Sequence, residues 1–285
     1  MPVPFTHRAY AKVNIGLYIT GKRPDGYHDI LTVFHRVNLF DEIRLEPATT
    51  IEVTSTSADA PGGETNLCHK AAVALQRFLR ISDGVSIHIT KNIPVGAGLG
   101  GGSSDAAIVL QQLPAVWNRT VVESDLRRIA LRLGSDIPYF LGQGSAIASG
   151  RGDVLEYFPI DVPFTILLCY PDTHVSTAWA YQHMKPGGGP TKEELMQLLQ
   201  HGMSDPIAFS GKLRNDFEEV VFKEFPKIQQ VKQQITDGGA AFALMSGSGS
   251  SVFGIFRNTV EAKVTAEKLE QRGYRTFLTG PHFRP

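Results

Sequence analysis

Five glycines lie within the seven residues Gly96–Gly102, between a predicted strand and a predicted helix. Glycine lets the backbone adopt positive φ angles and approach a ligand closely. The start of a helix adds unpaired N–H groups and the positive end of its dipole. A tight turn without a ligand is the simpler interpretation, but a turn needs fewer glycines. We therefore predict a phosphate-binding loop that consists of Pro94, Val95, Gly96, Ala97, Gly98, Leu99, Gly100, Gly101, Gly102, Ser103 and Ser104.

The loop satisfies none of three common phosphate-loop classes in full. Gly96, Gly98 and Gly101 have the G-x-G-x-x-G spacing of dinucleotide-binding loops, but the regular βαβ context and a ribose-binding acid are missing. Gly96 and Gly101 also have P-loop spacing, but Gly102 occupies the position of the required lysine. The protein-kinase signatures H-R-D and D-F-G do not occur. The sequence therefore predicts a phosphate cradle of another class.

A cation for the phosphates must come from outside this loop, because the loop contains no lysine. Lys12 fits that need, since apolar residues flank it on a predicted strand over Ala9–Thr20; a surface lysine is the simpler interpretation. Asp136 or the neighbouring Ser135 is predicted to cap a short helix that has Pro138 in its first turn.

Hydrophobic periodicity places these groups on a mixture of strands and helices. The predicted helices include one capped by Thr65, one from about Ser103 to Leu113, and the amphipathic segment Glu123–Leu133. The predicted strands include Leu31–Leu39, Glu42–Val53, Val85–Ile89, Phe164–Tyr170, Ala241–Met245 and Val252–Phe256. Because no regular βαβ repeat is present, the pattern predicts an α+β chain of two domains.

Composition excludes several classes of partner. The 285 residues carry 28 Lys plus Arg and 28 Asp plus Glu, and this balance disfavours a broad polyanion-binding surface, so we expect no nucleic-acid partner. We expect no membrane partner, because the longest charge-free stretch is rich in glycine and serine. Cys68 and Cys169 lie in apolar settings, which together with the absence of a signal peptide predicts reduced thiols and a cytoplasmic protein. The sequence predicts no oligomeric state.

Three sequence blocks together resemble the small-molecule kinases named for galactose, homoserine, mevalonate and phosphomevalonate, the GHMP superfamily. The blocks are Ala9–Leu17, the glycine loop and Met245–Phe253, and the resemblance covers essentially the whole chain. It implies a two-domain fold, with an N-terminal half similar to domain 2 of ribosomal protein S5 and a C-terminal α/β sandwich. Residues 1–158 would form the ATP-binding domain and residues 159–285 the domain on the substrate side.

Within the superfamily, three segments resemble the branch that acts on a cytidyl diphosphate substrate: Ala11–His28, Leu99–Ser104 and Gly134–Pro138. The resemblance implies a kinase that transfers the γ-phosphate of ATP to a hydroxyl of that substrate in the non-mevalonate route to isoprenoids. It implies Mg²⁺ carried by ATP as the only metal, with no metal-ligand set on the protein. Lys12 and Asp136 would be catalytic, and Asp136 would take up or orient the proton of the hydroxyl.

The same resemblance implies binding residues outside the glycine loop. The residues that would contact the substrate are Asn14, Tyr27, His28, Thr177 and Tyr181. Tyr27, His28 and Tyr181 would hold the cytosine by stacking and hydrogen bonds. Asn66 and Lys91 would contact adenosine, although a helix cap and a solvated strand end are equally good interpretations of these two residues.

Three other functions stay open on the sequence alone. Another kinase of the superfamily, such as homoserine or mevalonate kinase, is disfavoured by Tyr27, His28 and the triple glycine. A nicotinamide-dependent dehydrogenase is supported by the glycine spacing only. An RNA-binding N-terminal half is disfavoured by the balanced charge.

Overall fold

The computed structural model describes residues 5–285, which form two compact units that are discontinuous in sequence. Unit 1 comprises the N-terminal residues through Ala11, Phe40–Val95 and Gly100–Gln143. Unit 2 comprises Lys12–Leu39, Gly96–Leu99 and Gly144–Pro285. The predicted domain boundary between residues 158 and 159 follows the sequence instead and stays a prediction, and residues 1–4 of that predicted domain lie outside the described range.

Strands and helices alternate irregularly along the described chain, which confirms the predicted α+β class. The strands are β1 (Phe5–Lys22), β2 (His28–Ala48), β3 (Ile51–Ser55), β4 (Gly84–Thr90), β5 (Ser145–Ser149), β6 (Val154–Phe158), β7 (Thr165–Tyr170), β8 (Phe242–Met245), β9 (Val252–Phe256) and β10 (Arg275–Thr279). The helices are α1 (Leu67–Leu79), α2 (Gly101–Val116), α3 (Glu123–Leu133), α4 (Ile137–Leu141), α5 (Thr177–His183), α6 (Lys192–Ser204), α7 (Glu218–Glu224), α8 (Pro226–Asp237) and α9 (Thr259–Glu270). Short 3-10 turns lie at Gly63–Thr65 and Pro206–Phe209.

Unit 1 packs four helices with a small sheet. Residues 42–48 of β2 pair antiparallel with β4, and β3 pairs parallel with β4. Alternate residues of β4 are buried, as expected for a strand with one face in the core. Helix α2 packs against α1 and α4, and the indole N–H of Trp117 donates to the carbonyl of Gly84, 2.9 Å away. This contact fixes the end of α2 to the start of β4.

Unit 2 contains a four-stranded antiparallel sheet in the order β10-β7-β9-β8. Every residue of β7, β8 and β9 is buried, and helices α8 and α9 pack against these strands. The core includes the side chains of Leu167, Val231, Ile235, Met245, Phe256 and Leu269. In the same unit, Thr32–Phe34 of β2 pair antiparallel with β5, which pairs with β6.

Most predicted elements occur with shifted ends, and two predictions are wrong. Leu31–Leu39 and Glu42–Val53 are not two strands, because β2 continues through Asp41 as far as Ala48. Asp41 does not break the strand because its carboxylate has buried donors. Thr65 does not cap α1; Asn66 does, and its side-chain oxygen accepts from the amide of Cys68.

Candidate phosphate-binding and catalytic site

The first part of the glycine loop is held by the β8–β9 loop within unit 2. The hydroxyl of Ser246 donates to the carbonyl of Gly98, with 3.0 Å between the oxygens, and the amide of Ser251 donates to the carbonyl of Ala97 at 3.1 Å. A Cβ atom on Gly98, where φ is +76°, would lie 2.2 Å from the carbonyl oxygen of Ser246. Glycine at this position is therefore required by the packing of the protein itself.

The second part of the loop forms the start of helix α2. Gly100 is the N-cap residue with φ +70°, and no side chain caps the helix. A Cβ atom on Gly102 would meet nothing closer than Leu67 Cδ1, at 3.7 Å. Because glycine costs about 1 kcal/mol relative to alanine inside a helix, packing gives no reason for Gly102. A ligand that approaches the helix start closely does give one.

Lys12 is buried, so the interpretation as a surface lysine is wrong. Its ammonium donates to the side-chain oxygen of Asn14 at 2.7 Å and lies 4.9 Å from the centre of the Phe34 ring. The Asn14 amide donates in turn to the hydroxyl of Thr32 at 2.9 Å. The backbone N–H of Lys12 donates to the carbonyl of Leu99, which fixes β1 to the glycine loop. The structure thus places Lys12 and Asn14 in one buried network in unit 2.

Asp136 lies at the N-cap position of α4 in unit 1, as predicted. Its side chain makes no capping hydrogen bond to the helix, so the predicted capping role is wrong in that respect. The five residues of α4 are all buried, whereas Asp136 itself is half-buried. The packing of α4 therefore fixes the backbone of Asp136 while its carboxylate is not used as a cap.

Two of the three predicted cytosine-binding residues stack on each other in unit 2. The ring centres of His28 and Tyr181 lie 5.1 Å apart, and the two ring planes make an angle of 23°. The rings of Tyr181 and Phe217 meet edge to face, with their centres 4.8 Å apart. Burial, with a smaller effect of Lys22, lowers the pKa of His28 below its ordinary value of 6.5. The imidazole is therefore neutral at pH 7 and retains one donor and one acceptor.

Two further predicted residues lie close to this pair along the chain. Tyr27 is 54% exposed, and the guanidinium of Arg151 lies 4.9 Å from the centre of its ring. Thr177 and Tyr181 share helix α5, as their spacing predicts. The hydroxyl of Thr177 lies 2.9 Å from that of Ser248 in the β8–β9 loop, so this loop contacts both the glycine loop and the start of α5.

The two predicted adenosine contacts have structural partners inside unit 1. Asn66 caps α1 and also donates to the carbonyl of Pro61 at 2.8 Å. The side chain of Lys91 is buried, and its ammonium lies 2.5 Å from a side-chain oxygen of Asp41 and 3.0 Å from one of Asp105. Asp41 and Asp105 were not identified from the sequence. The sequence feature that could have indicated this cluster is Asp41, a single acid between two apolar strand segments.

The two buried carboxylates of the cluster have unequal partners. Asp41 also accepts hydrogen bonds from the amides of Asn92 and Ile93, at 2.6 and 2.8 Å. Asp105 has one buried oxygen, Oδ1, without a hydrogen-bond partner among the described residues. Burial raises the pKa of Asp105 to about 8 against the opposing effect of Lys91. Asp105 therefore keeps its proton at pH 7.

Neither a metal cluster nor a membrane segment is present in the described residues. Within residues 5–285, no three side chains of His, Cys, Asp or Glu gather in a group that holds a metal ion. No helix in this part of the chain combines the length and the apolar composition needed to cross a membrane. Cys68 and Cys169 are free and buried, as predicted.

Comparisons with known proteins agree in both halves of the chain. The family described as GHMP kinases N terminal domain matches residues 66–144, and the family described as GHMP kinases C terminal matches residues 192–275. The 4-diphosphocytidyl-2-C-methyl-D-erythritol kinase of Chlorobium limicola is 43% identical over 283 residues, which cover 99% of this chain and 98% of that relative.

Solved structures of kinases share the fold. A crystal structure of 4-(cytidine 5'-diphospho)-2C-methyl-D-erythritol kinase superimposes with a TM-score of 0.80 at 33% identity, covering 96% of this chain and 98% of the other. A homoserine kinase from Cytophaga hutchinsonii has a TM-score of 0.72 at 16% identity, with coverage of 96% and 95%. The second likeness shows the fold alone.

The unequal carboxylates predict a specific pH effect on stability. Between its ordinary value of 3.8 and about 8, Asp105 keeps its proton in the folded state and loses it on unfolding. The folded state then binds more protons, so this group makes stability fall as pH rises through that range. The free energy of unfolding in urea should be measured at about pH 6 and about pH 8.5. It should fall less between these two pH values for Asp105→Asn than for the wild type.

Asp41→Asn is the matched control for this experiment. It leaves the Lys91 ammonium buried with Asp105 only and weakens the acceptor for two amides. We expect a loss of about 3–5 kcal/mol at both pH values. Equal pH dependence in the wild type and in Asp105→Asn would contradict the assignment of the proton to Asp105.

Proposed function

The chain belongs to the 4-diphosphocytidyl-2-C-methyl-D-erythritol kinases of the GHMP family, and from this membership we propose the chemistry of its site. It is a small-molecule kinase of the isoprenoid precursor pathway and uses ATP. We propose that it transfers the γ-phosphate to the 2-hydroxyl of 4-diphosphocytidyl-2-C-methyl-D-erythritol, which gives the 2-phosphate and ADP. The observation that supports this proposal most is the uncapped, glycine-rich start of α2.

The glycine loop would hold the phosphates of ATP through its backbone amides. The positive end of the α2 dipole and the absence of a side-chain cap favour an anion at this position. The open space beside Gly102 lets a phosphate approach the backbone. The proposed contacts include residues 94–104, with Asn66 and Lys91 on the adenosine side. Lys91 would act there through its position in the buried cluster, because its ammonium contacts the side-chain oxygens of both Asp41 and Asp105.

Lys12 and Asp136 would act on the reacting groups. Phosphoryl transfer needs little covalent help from the protein, so catalysis is mainly positioning and electrostatic stabilisation. The Lys12 ammonium, fixed by Asn14, would stabilise negative charge that develops on the phosphoryl oxygens. Asp136 would orient the substrate hydroxyl and accept its proton.

Mg²⁺ would arrive bound to the nucleotide. No acidic cluster among the described residues 5–285 surrounds a site for the ion. Serine hydroxyl groups next to the backbone amides that would bind the phosphates suit a hard cation, which prefers oxygen ligands. Ser103 and Ser104, both in the first turn of α2, would add their hydroxyl groups to the phosphates or to the ion. The ion would neutralise negative charge on the phosphates.

The substrate would bind through residues of unit 2. His28 and Tyr181 present neighbouring aromatic rings, and the neutral His28 suits hydrogen bonding to the edge of cytosine. Tyr27 is exposed enough to contact the base, whereas Asn14 and Thr177 would contact the remainder of the substrate. We further propose a cytoplasmic enzyme without nucleic-acid or membrane partners, which the free buried thiols and the balanced charge support.

The other kinases of the family are not favoured. The likeness to homoserine kinase is a likeness of fold at 16% identity, whereas the cytidyl-substrate kinase matches at 43% over nearly the full chain. A coupled assay of ADP release over the cytidyl substrate, homoserine and mevalonate tests this choice. We expect turnover with the cytidyl substrate alone, and phosphate on its 2-hydroxyl in the product. Turnover with another alcohol but not with this one would contradict the proposal.

Substitution of the two proposed catalytic residues tests their roles. Asp136→Asn should lower kcat by about 10²–10⁴-fold, because the amide accepts no proton. Lys12→Ala should lower kcat by about 10²–10³-fold through the loss of charge stabilisation. Both variants should keep the far-ultraviolet circular dichroism spectrum of the wild type. Near-normal turnover in either variant rejects the role given to that residue.

Two glycine substitutions separate ligand binding from packing. Gly102→Ala should raise the KM for ATP about tenfold or more, while stability stays equal or rises by about 1 kcal/mol. Gly98→Ala places its Cβ against the carbonyl of Ser246 and should destabilise the fold by about 3 kcal/mol or more. The measurements are thermal unfolding and initial rates at varied ATP. An unchanged KM in a folded Gly102→Ala protein would argue against phosphate at the start of α2.

A pair of substitutions on α5 tests the cytosine contact. Tyr181→Ala removes a stacking ring and should raise the KM for the cytidyl substrate by about tenfold, since stacking on a base contributes about 1–3 kcal/mol. Tyr181→Phe keeps the ring and should behave like the wild type. The KM for ATP should be unchanged in both. A common rise in both KM values would indicate a general disturbance of the fold instead.

A further inference from the structure

The segment between β7 and α5 places a histidine on the first glycine of the phosphate loop. The imidazole of His174 occupies the space that a side chain at position 96 would fill. A Cβ atom on Gly96 would lie 2.5 Å from Nδ1 and 2.6 Å from Cε1 of this ring. The ring therefore packs directly on the backbone of the loop, and glycine at position 96 is what allows it to do so.

The β8–β9 loop holds both partners of this contact in unit 2. The hydroxyl of Ser250 donates to the carbonyl of Thr173, next to His174. The amide of Ser251 donates to the carbonyl of Ala97, next to Gly96, at 3.1 Å. Two consecutive residues thus bind the histidine segment and the glycine loop. These two hydrogen bonds fix the backbone beside His174 relative to the glycine loop before any ligand binds.

The hydrogen-bonding groups of this imidazole are not used within the described protein. His174 is exposed, and no residue in the range 5–285 forms a hydrogen bond with its ring nitrogens. By contrast, the ring of His35 is buried with Nδ1 2.8 Å from the hydroxyl of Ser145, as expected for a structural histidine. In either tautomer the His174 ring carries at least one N–H donor. The Nδ1–Cε1 edge of the ring lies against Gly96, in a loop whose backbone suits anions.

We propose that His174 is a further binding residue that donates a ring N–H to a non-bridging oxygen of a phosphoanhydride at this loop. The inference rests on the proposed function, because that function brings two phosphoanhydrides to the enzyme, the triphosphate of ATP and the diphosphate of the cytidyl substrate. Both present the same negatively charged oxygens. His174 contributes to binding and takes no part in proton transfer to or from the reacting hydroxyl.

Substitutions at His174 separate hydrogen bonding from packing. His174→Phe keeps an aromatic ring over Gly96 without a donor, and His174→Gln supplies a donor without the ring. His174→Ala removes both and serves as the second variant if phenylalanine disturbs the fold. His201→Phe is the matched control, since His201 is an exposed histidine near the end of α6. Thermal unfolding should give the same midpoint for the folded variants.

Initial rates at varied ATP and varied cytidyl substrate identify which phosphoanhydride is bound. Because a hydrogen bond to a charged group contributes about 1.5–3 kcal/mol, His174→Phe and His174→Ala should raise one KM at least about tenfold. A rise in the KM for ATP assigns the triphosphate, and a rise in the other KM assigns the diphosphate. We expect kcat within about twofold of the wild type, and we expect His174→Gln to recover most of the affinity.

Calorimetric titration of the same variants with a non-hydrolysable ATP analogue and with CDP tests binding without turnover. Wild-type protein that binds these ligands but phosphorylates no cytidyl substrate would contradict the proposed function, and the titrations would still test His174. Equal affinities in the wild type and His174→Phe for both ligands would overturn the inference. So would a His174→Gln protein as weak as His174→Phe, because it would show that the ring contributes by packing.

Discussion

The close approach of two backbones, at Gly98 and Ser246, is the constraint on which the proposed site depends. There is no room for a side chain at position 98, because a Cβ atom would lie 2.2 Å from the Ser246 carbonyl oxygen. The Ser246 hydroxyl donates a hydrogen bond to the Gly98 carbonyl and accepts one from the backbone N–H of Asn14. One serine therefore joins β1, the glycine loop and the β8–β9 loop, and Asn14 in turn fixes the ammonium of Lys12. Within unit 2, the same contact positions the first part of the glycine loop and the Lys12 ammonium.

Unit 1 has its own means of fixing the other end of the loop. Lys91 follows β4, Asp41 lies in β2 and Asp105 lies in α2, so the cluster joins three elements around the start of that helix. Such a buried cluster is costly to form, and it is tolerated because Asp41 has three donors while Asp105 avoids its charge. Specific positioning of α2, rather than net stability, is the benefit we assign to this cluster.

Many of the strands and helices, and the family, could be predicted from the sequence, because local patterns of residues determine them. The strand Val252–Phe256 and the helix Glu123–Leu133 are predicted from neighbouring residues, and the structure confirms them. The family and the kinase activity follow from three blocks of residues, and the comparisons agree.

The side-chain partnerships could not be predicted in the same way. The stacking of His28 on Tyr181 and the burial of Lys91 between Asp41 and Asp105 join residues that are distant in sequence. Periodicity reports which face of an element is buried, but not which side chains meet across the fold. For the same reason, the space beside Gly102 and the imidazole on Gly96 are visible only in three dimensions.

The central claim is that the bare start of α2 holds phosphate through its backbone amides. Amide ¹⁵N–¹H chemical shifts of Gly100–Ser104, recorded during titration with a non-hydrolysable ATP analogue, test it most directly. The account predicts large shifts at Gly101 and Gly102 that saturate with the nucleotide, because a phosphate accepts hydrogen bonds from these groups. Saturating nucleotide binding that leaves these amides unshifted would contradict it.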